Sequence, residues 1–174
     1  CAAGTYDHDA DPSTACHTCG AGAYAPVGVT TCTPCALGTA DLDASSATAC
    51  ANCAVGQYSA IGSQTCTWCS YGKADHDSNP STPCTACAAG QYGDGRASVC
   101  VDCAQGWVDL DSNPATNCTQ CPVGHYSGAA STSCTVCAAG RNDQDNSAAT
   151  QCVNCAYGRH SAACLLYTSD AADD

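Results

Sequence analysis

The sequence predicts a small disulfide-rich repeat fold: an elongated rod of short β-hairpins and irregular loops, with little or no helix and no large hydrophobic core. Two observations support this prediction. Twenty of the 174 residues are cysteine, a density typical of disulfide scaffolds. First cysteines of a Cys-x2-Cys pair also recur every 34 residues, at positions 16, 50, 84, 118 and 152, and a fixed period of this length is the signature of a repeat architecture.

The apolar residues are too small to build an ordinary core. The chain has no Phe and no Met, and most of its hydrophobic residues are Ala and Cys. Covalent cross-links stabilise a chain that cannot bury enough apolar surface. Because disulfides persist in oxidising compartments, we expect a secreted protein that is extracellular or at the cell surface.

The charge balance argues against nucleic acid as a partner. All 16 acidic residues are Asp, the chain has only four Lys and Arg residues in total, and the net charge is −12. Such a chain repels phosphate backbones. No segment approaches the ~18 consecutive apolar residues of a transmembrane helix, so we expect no membrane span in this fragment.

The repeat has the form Cys-x2-Cys-x12-Cys-x2-Cys-x14, without insertion or deletion from Cys16 to Cys155. Both halves begin with Cys-x-x-Gly, which predicts a tight turn because Gly accepts a positive φ. The short half continues with Gly-x-Tyr, and we expect the Tyr to cover a disulfide. The long half continues into Asp-x-Asp. The predicted units are a partial repeat at 1–15, repeats at 16–49, 50–83, 84–117 and 118–151, and a partial repeat at 152–163.

Both ends of the sequence depart from this pattern. The chain starts at Cys1, in mid-repeat and without Met, so we expect a fragment of a longer protein. Residues 164–174 read CLLYTSDAADD and break the spacing, since the next cysteine is expected at position 168, which is Thr. The segment resembles the in-frame translation of a sequencing adapter. We interpret it as such an artefact, with a genuine divergent tail as the alternative.

The spacing favours one disulfide pairing. The two cysteines of a Cys-x2-Cys pair are usually not joined to each other in structural frameworks, and the simplest regular solution joins the second cysteine of each pair to the first of the next. Each bond then closes a loop of about 13–15 residues, worth ~3 kcal/mol in chain entropy. The runner-up joins first to first and second to second, and sequence alone does not choose between them. The favoured bonds are Cys1–Cys16, Cys19–Cys32, Cys35–Cys50, Cys53–Cys66, Cys69–Cys84, Cys87–Cys100, Cys103–Cys118, Cys121–Cys134 and Cys137–Cys152, with Cys155 left for a partner outside the fragment.

Metal or redox use of the cysteines is less favoured. The spacing is acceptable for a zinc ribbon, although zinc arrays usually carry basic faces and this chain has one Lys. A redox Cys-x-x-Cys is normally solitary in a globular fold. No Cys-x-x-Cys is followed by His, which excludes c-type haem attachment. We expect no required cofactor, and no enzyme, because the five His residues follow no common repeat position.

The acidic loops suggest calcium as one hypothesis. Oxygen-bearing residues at alternate positions resemble the start of a calcium loop, but the Gly at position 6 and the bidentate Glu of an EF-hand are missing, and the chain has no Glu. The favoured alternative is an acidic turn, since Asp, Asn, Ser and Pro are turn residues. The best calcium candidates are Asp75, Asp77 and Asn79 in one repeat and Asp109, Asp111 and Asn113 in the next.

Covalent glycans are the third candidate chemistry. Asn117-Cys118-Thr119 is the one N-glycosylation sequon of the sequence, because proline blocks Asn79-Pro80-Ser81. Ser and Thr crowd before the first cysteine of each pair, and prolines recur in matching turns. O-glycans are therefore predicted on Ser and Thr residues and on hydroxylated prolines, such as Thr31, Thr65, Ser133, Pro12, Pro80 and Pro114.

The motif Cys-x-x-Cys-x-x-Gly-x-Tyr, followed by a dozen polar residues and Ser/Thr-x-Cys-x-x-Cys, resembles the ephrin-receptor-like cysteine-rich repeats. It is also similar to TNF-receptor-type modules and to surface proteins of protists and algae, including flagellar hairs (mastigonemes). The resemblance covers residues 1–163. This chain departs from it by the lack of Pro after most cysteine pairs, the strict alternation of spacings and the added Asp-x-Asp. The resemblance implies an elongated disulfide-laddered rod, used as a stalk, coat or filament.

Strict periodicity favours a structural function. A receptor concentrates unique anchor residues in one place, whereas equal units stacked in one dimension make a rod or an open homopolymeric fibre. We therefore expect a self-assembling, glycosylated surface filament or coat. The alternative is a receptor-like or adhesin stalk that binds a protein ligand, with calcium as a stiffener. Trp68 and Trp107, at non-equivalent positions, are the candidate anchors for that alternative.

Overall fold

The computed structural model describes residues 1–155, and these residues form short β-strands and turns without any helix. The eighteen strands are two residues long and pair into nine two-stranded sheets, each made of strands consecutive in the chain. Nine regularly spaced disulfides accompany them. The predicted fold class, a disulfide-rich tandem repeat of short hairpins and loops, is confirmed.

The strands are numbered in chain order, and their bounds follow the cysteine spacing. One strand of each pair comes directly after a Cys-x-x-Gly turn, and the other lies inside the following Cys-x2-Cys pair. They are β1 Thr5–Tyr6, β2 His17–Thr18, β3 Ala23–Tyr24, β4 Thr33–Pro34, β5 Thr39–Ala40, β6 Ala51–Asn52, β7 Gln57–Tyr58, β8 Thr67–Trp68, β9 Lys73–Ala74, β10 Thr85–Ala86, β11 Gln91–Tyr92, β12 Val101–Asp102, β13 Trp107–Val108, β14 Thr119–Gln120, β15 His125–Tyr126, β16 Thr135–Val136, β17 Arg141–Asn142 and β18 Val153–Asn154.

The half-unit that begins at Cys19 shows how each hairpin forms. Gly22 takes a φ of +79°, as the third residue of a type II turn requires. The Ala23 N–H donates to the Gly20 carbonyl at 3.2 Å and closes the turn. β3 then pairs antiparallel with β4, and the Cys19–Cys32 disulfide fixes the ends of the loop. The predicted turn after each cross-link is thus present in this half-unit.

The disulfides of residues 1–155 join the second cysteine of each pair to the first of the next, at alternating separations of 15 and 13 residues. First-to-first pairing does not occur among them. The bonds are Cys1–Cys16, Cys19–Cys32, Cys35–Cys50, Cys53–Cys66, Cys69–Cys84, Cys87–Cys100, Cys103–Cys118, Cys121–Cys134 and Cys137–Cys152.

The chain divides into two compact units. Unit 1 comprises Cys1–Thr85 and Gly95–Val99, and unit 2 comprises Ala86–Asp94 and Cys100–Asp174, of which residues 156–174 lie outside the described residues. The last partial repeat is therefore described as far as Cys155. The remainder of the partial repeat predicted at 152–163 and the segment 164–174 lie outside the described residues.

Buried side chains are small throughout residues 1–155. They are mainly Cys and Ala, and the largest side chain that is almost fully buried is Val108. In unit 2, Val108 packs with Cys121 and Ala148. No segment in this part of the chain forms a helix with the length and hydropathy of a membrane span.

Equivalent half-units of successive repeats make close contact within each unit. In unit 1, a Cβ added to Gly22 would overlap the carbonyl group of Gly62. In unit 2, a Cβ added to Gly90 would overlap the carbonyl group of Ala130 in the same way. The glycine of the turn is thus required twice, for its positive φ and for the approach of the loop one repeat later.

Candidate functional site

The first Asp of the Asp-x-Asp motif joins two half-units in four copies of the motif. In unit 1, Asp75 is buried and its Oδ2 accepts a hydrogen bond from the Gly56 N–H at 3.0 Å. Its Oδ1 accepts from the Asn79 N–H at 3.2 Å, and its own N–H donates to the Ala97 carbonyl at 3.0 Å. A buried carboxylate requires such partners, because burial without hydrogen bonds is costly. Asp75 therefore fastens the turn of the preceding half-unit to its own turn.

The same contact recurs along the chain, and we call it the Gly–Asp bracket. In every instance the Gly N–H of a short half-unit donates to the carboxylate Oδ2 of an Asp that lies 19 residues later. The four brackets in the described residues are Gly22–Asp41, Gly56–Asp75, Gly90–Asp109 and Gly124–Asp143.

The second Asp of the motif is exposed and stabilises its own turn. Asp77 accepts hydrogen bonds from the Asn79 N–H at 3.0 Å and from the Thr82 hydroxyl at 2.9 Å. Between Asp77 and Asn79, Ser78 takes a φ of +52°, a conformation that residues other than Gly rarely adopt. The acidic turn predicted from the sequence is present here. Of its two aspartates, however, Asp75 is buried and only Asp77 is exposed to solvent.

Hydrogen bonds hold the pKa of these exposed aspartates below the usual range. For Asp77 the main cause is the backbone N–H of Asn79, followed by the Thr82 hydroxyl. For Asp43 the main cause is the Thr48 hydroxyl, followed by the Ser45 N–H. The pKa is lowered in the same way at Asp9, Asp11, Asp111 and Asp145.

The structure brings together two of the three candidate calcium ligands in each set. Asp75 and Asp77 both direct Oδ1 at the Asn79 N–H, at 3.2 and 3.0 Å, while the Asn79 Oδ1 accepts from the Ser81 N–H at 3.1 Å. Unit 2 repeats this arrangement with Asp109, Asp111, Asn113 and Ala115. Within residues 1–155, no three or more His, Cys, Asp and Glu side chains are grouped so that they could hold a metal ion. Calcium binding stays a prediction.

The predicted glycosylation positions fall into two groups by exposure. Asn117, Thr31, Thr65, Ser133 and Pro12 are exposed. Pro80 and Pro114 are half-buried, and their carbonyl oxygens accept hydrogen bonds from Ser59 at 3.2 Å and Gly93 at 3.0 Å. The exposed group is accessible to modifying enzymes, whereas the two half-buried prolines also form part of the contact between half-units.

An open groove of about 370 Å³ lies in unit 2 between the β11–β12 hairpin and the loop of the Cys103–Cys118 disulfide. Its walls include Tyr92, Val101, Asp102, Trp107 and Asn117. Neither the groove nor its link to the sequon is apparent from spacing, because residues 92 and 117 come from different half-units.

A second aromatic feature lies in unit 1 and includes Trp68, Tyr71 and Arg96, which we call the Trp68 patch. The Arg96 guanidinium lies over the Trp68 indole, 5.0 Å from the ring centre. The Tyr71 ring lies beside Gly95, within 3.3 Å of where a Cβ would stand. All three patch residues are exposed. Of the two anchors proposed from the sequence, Trp68 thus belongs to this patch and Trp107 to the groove.

One copy of the recurring Tyr, Tyr126, contacts a disulfide. Tyr126 packs, partly buried, against the Cys137–Cys152 disulfide. This is the disulfide of the next half-unit, so the aromatic ring links neighbouring half-units.

No protein-family model matches the sequence, and no curated protein matches it either. What the geometry supports is a repeated disulfide-rich hairpin module, an architecture typical of extracellular structural or binding repeat proteins. The density of disulfides indicates an oxidising environment.

Proposed function

We propose that the chain is part of a structural extracellular protein, a repeat segment of a glycosylated surface filament or coat, similar to mastigonemes and related to the ephrin-receptor-like repeats. The observation that carries the proposal is the Gly–Asp bracket. Its four copies use the one distinctive polar motif of the repeat to join half-units to each other. Identical internal joints are what a structural repeat needs.

The surface offers repeated apolar side chains for contacts with other copies. The residue before the glycine of the Cys-x-x-Gly turn is a large exposed hydrophobic residue in several half-units. A surface that repeats in this way favours contacts between many copies, and head-to-tail contacts that do not close produce fibres. These residues, with exposed fractions of 48–68%, are Leu37, Val55, Tyr71 and Val123.

Electron microscopy of the secreted protein tests this proposal. We expect filaments or sheets of laterally packed copies, and we expect the variant Leu37→Ser/Val55→Ser/Val123→Ser to assemble less while keeping its disulfides. A matched control is Val27→Ser/Ile61→Ser, which changes exposed apolar residues in a different turn of the half-unit, the one before Gly28 and Gly62. A dispersed monomer that carries one bound protein ligand would refute the filament.

The alternative function, a receptor-like or adhesin stalk, is favoured by the Trp68 patch. Its Trp and Arg side chains do not recur in the other described repeats: the positions equivalent to Trp68 hold Pro34, Asp102 and Val136. Aromatic residues and Arg are the typical anchors of protein interfaces. If Trp68→Ala abolishes attachment of the protein to its native surface while assembly continues, the stalk is the better description.

A further inference from the structure

Departures from the repeat gather at the groove of unit 2. The groove residues Asp102, Trp107 and Asn117 each differ from every equivalent residue in the described chain, whereas Tyr92 is the recurring Tyr. Position 102 differs in every described repeat, so uniqueness alone does not mark this groove. What sets the groove apart is that an indole, a carboxylate and the sequon asparagine line it together. The equivalents are Pro34, Trp68 and Val136 for Asp102, Thr5, Thr39, Lys73 and Arg141 for Trp107, and Ala15, Ala49, Pro83 and Gln151 for Asn117.

The groove is open to solvent, and aromatic, apolar and polar side chains line it. Its volume of about 370 Å³ falls within the range of about 300–1,000 Å³ that is usual for small-ligand sites. Trp107 is 41% exposed, although an indole is the most favourable large surface to bury in this chain. The Gln91 Nε2 donates to the Asp102 Oδ1 at 2.7 Å, so the carboxylate is held in place on the groove wall.

We propose that this groove seats the first sugars of an N-linked glycan carried by Asn117. The inference rests on the glycosylation that the proposed function includes, and it adds where the glycan lies and what holds it. A pyranose ring presents C–H groups that pack on the indole of Trp107 and hydroxyl groups that donate to the Asp102 carboxylate. The glycan thereby covers an aromatic side chain that is otherwise open to solvent.

The attachment point limits where the first sugar can go. Asn117 is exposed, and the hydroxyl-bearing Thr119 of its sequon is exposed as well. Cys118, between them, is fixed to Cys103 by a disulfide. Because the backbone next to Asn117 is anchored and its side chain already lines the groove, the sugar nearest to the amide lies at the groove rather than free in solvent.

Attachment is an ordinary transfer from a lipid-linked diphosphate oligosaccharide. The Asn117 amide nitrogen forms a bond to C1 of the sugar, and the bond from C1 to the phosphate oxygen breaks. The lipid diphosphate leaves with the electron pair, and the amide nitrogen loses one proton. No oxidant or reductant is required.

Trp107 fluorescence tests the inference directly, since the chain has two Trp residues and Trp68→Phe leaves Trp107 as the sole one. The Trp68→Phe protein is secreted from eukaryotic cells, and intact mass gives the occupancy of Asn117. Acrylamide quenching is then measured on untreated protein, after an endoglycosidase that leaves one N-acetylglucosamine, and after an amidase that removes the whole glycan. We expect low quenching in the first two samples and about twofold stronger quenching in the third.

Thr119→Ala in the same background is the matched control, because it removes the sequon without adding the Asp that the amidase creates at position 117. It should quench like the amidase-treated protein. Equal quenching with and without the glycan, at proven occupancy, would overturn the seat in the groove while leaving a glycosylated filament intact. Zero occupancy would overturn the inference and the Asn117 prediction together, and filament assembly would still be judged separately by microscopy.

Discussion

Asp75 and Asp77 are two residues apart and lie in opposite environments. Asp75 is buried and binds Gly56 across half-units, whereas Asp77 is exposed and binds Thr82 within its own turn. Charge-assisted hydrogen bonds in a buried setting contribute more than those in water. The two residues of one motif therefore contribute differently to stability.

Asp75→Asn should weaken the Gly–Asp bracket, because the amide nitrogen cannot accept the second of the two N–H groups that Asp75 binds. We expect a local cost of about 1–3 kcal/mol and roughly tenfold or faster hydrogen exchange at the Gly56 amide, measured by NMR. Asp77→Asn is the control and should leave the Gly56 amide unchanged. Equal exchange at Gly56 in both variants would contradict the bracket.

The pKa of Asp43 should respond to its hydroxyl partner. The Thr48 hydroxyl is the main cause of the lowered pKa, so Thr48→Val should raise it toward the ordinary value, as followed by carboxyl carbon shifts in an NMR titration. A lowered folded-state pKa stabilises the turn above the unfolded value of about 3.9, and this stabilisation is lost as the pH falls through the folded pKa. Asp111, in another repeat, serves as the internal control. An unchanged Asp43 titration would refute the role of Thr48.

Among single residues, the sequence predicted the role of the exposed Asp77 better than the role of the buried Asp75. Asp77 behaves as a turn residue should, and its partners lie within five residues. Asp75 binds Gly56, and a separation of 19 residues is a property of how half-units stack. Local turn chemistry contains no information on that stacking, so the bracket was missed.

At the scale of the element, the glycine of the Cys-x-x-Gly turn has two functions that can be separated. Gly22 and Gly28 take nearly the same φ, +79° and +78°. A Cβ on Gly22 would overlap Gly62, whereas a Cβ on Gly28 would meet no atom within 4 Å. The pair therefore separates backbone strain from the contact between loops.

Gly22→Ala should destabilise its hairpin more than Gly28→Ala does. Both variants carry the strain of a positive φ, about 1 kcal/mol, and Gly22→Ala must also push the Gly62 loop away. We expect the Gly62 amide to exchange faster in Gly22→Ala, and to stay close to wild type in Gly28→Ala. An equal change in the exchange rate of the Gly62 amide in both variants would refute the close contact between the Gly22 and Gly62 loops.

Hairpin formation was predictable because the cysteine spacing leaves little choice. A Cys-x2-Cys pair has room for two residues between its cysteines, and these two residues form strands such as β4 and β14. The groove of unit 2 was not predictable in the same way. Tyr92 and Asn117 line it from different half-units, so the sequence did not indicate that the sequon lies next to aromatic side chains.

At the scale of the whole chain, stability comes from many equal local joints rather than from a central core. In residues 1–155 the buried side chains are mostly Cys and Ala, and disulfides at separations of 13 and 15 residues recur throughout. Such a chain behaves as a sum of repeats and their interfaces. A protein built in this way can be extended by adding repeats, which suits a filament or a coat.

Every hairpin, Gly–Asp bracket and groove in residues 1–155 depends on the order of disulfide pairing. Electron-transfer dissociation of peptides from the unreduced secreted protein reads each bond directly. We predict that Cys19 is joined to Cys32 and Cys35 to Cys50, with the same order in every repeat. A bond of the type Cys19–Cys35, between equivalent cysteines of neighbouring pairs, would refute this pairing and the hairpins that depend on it.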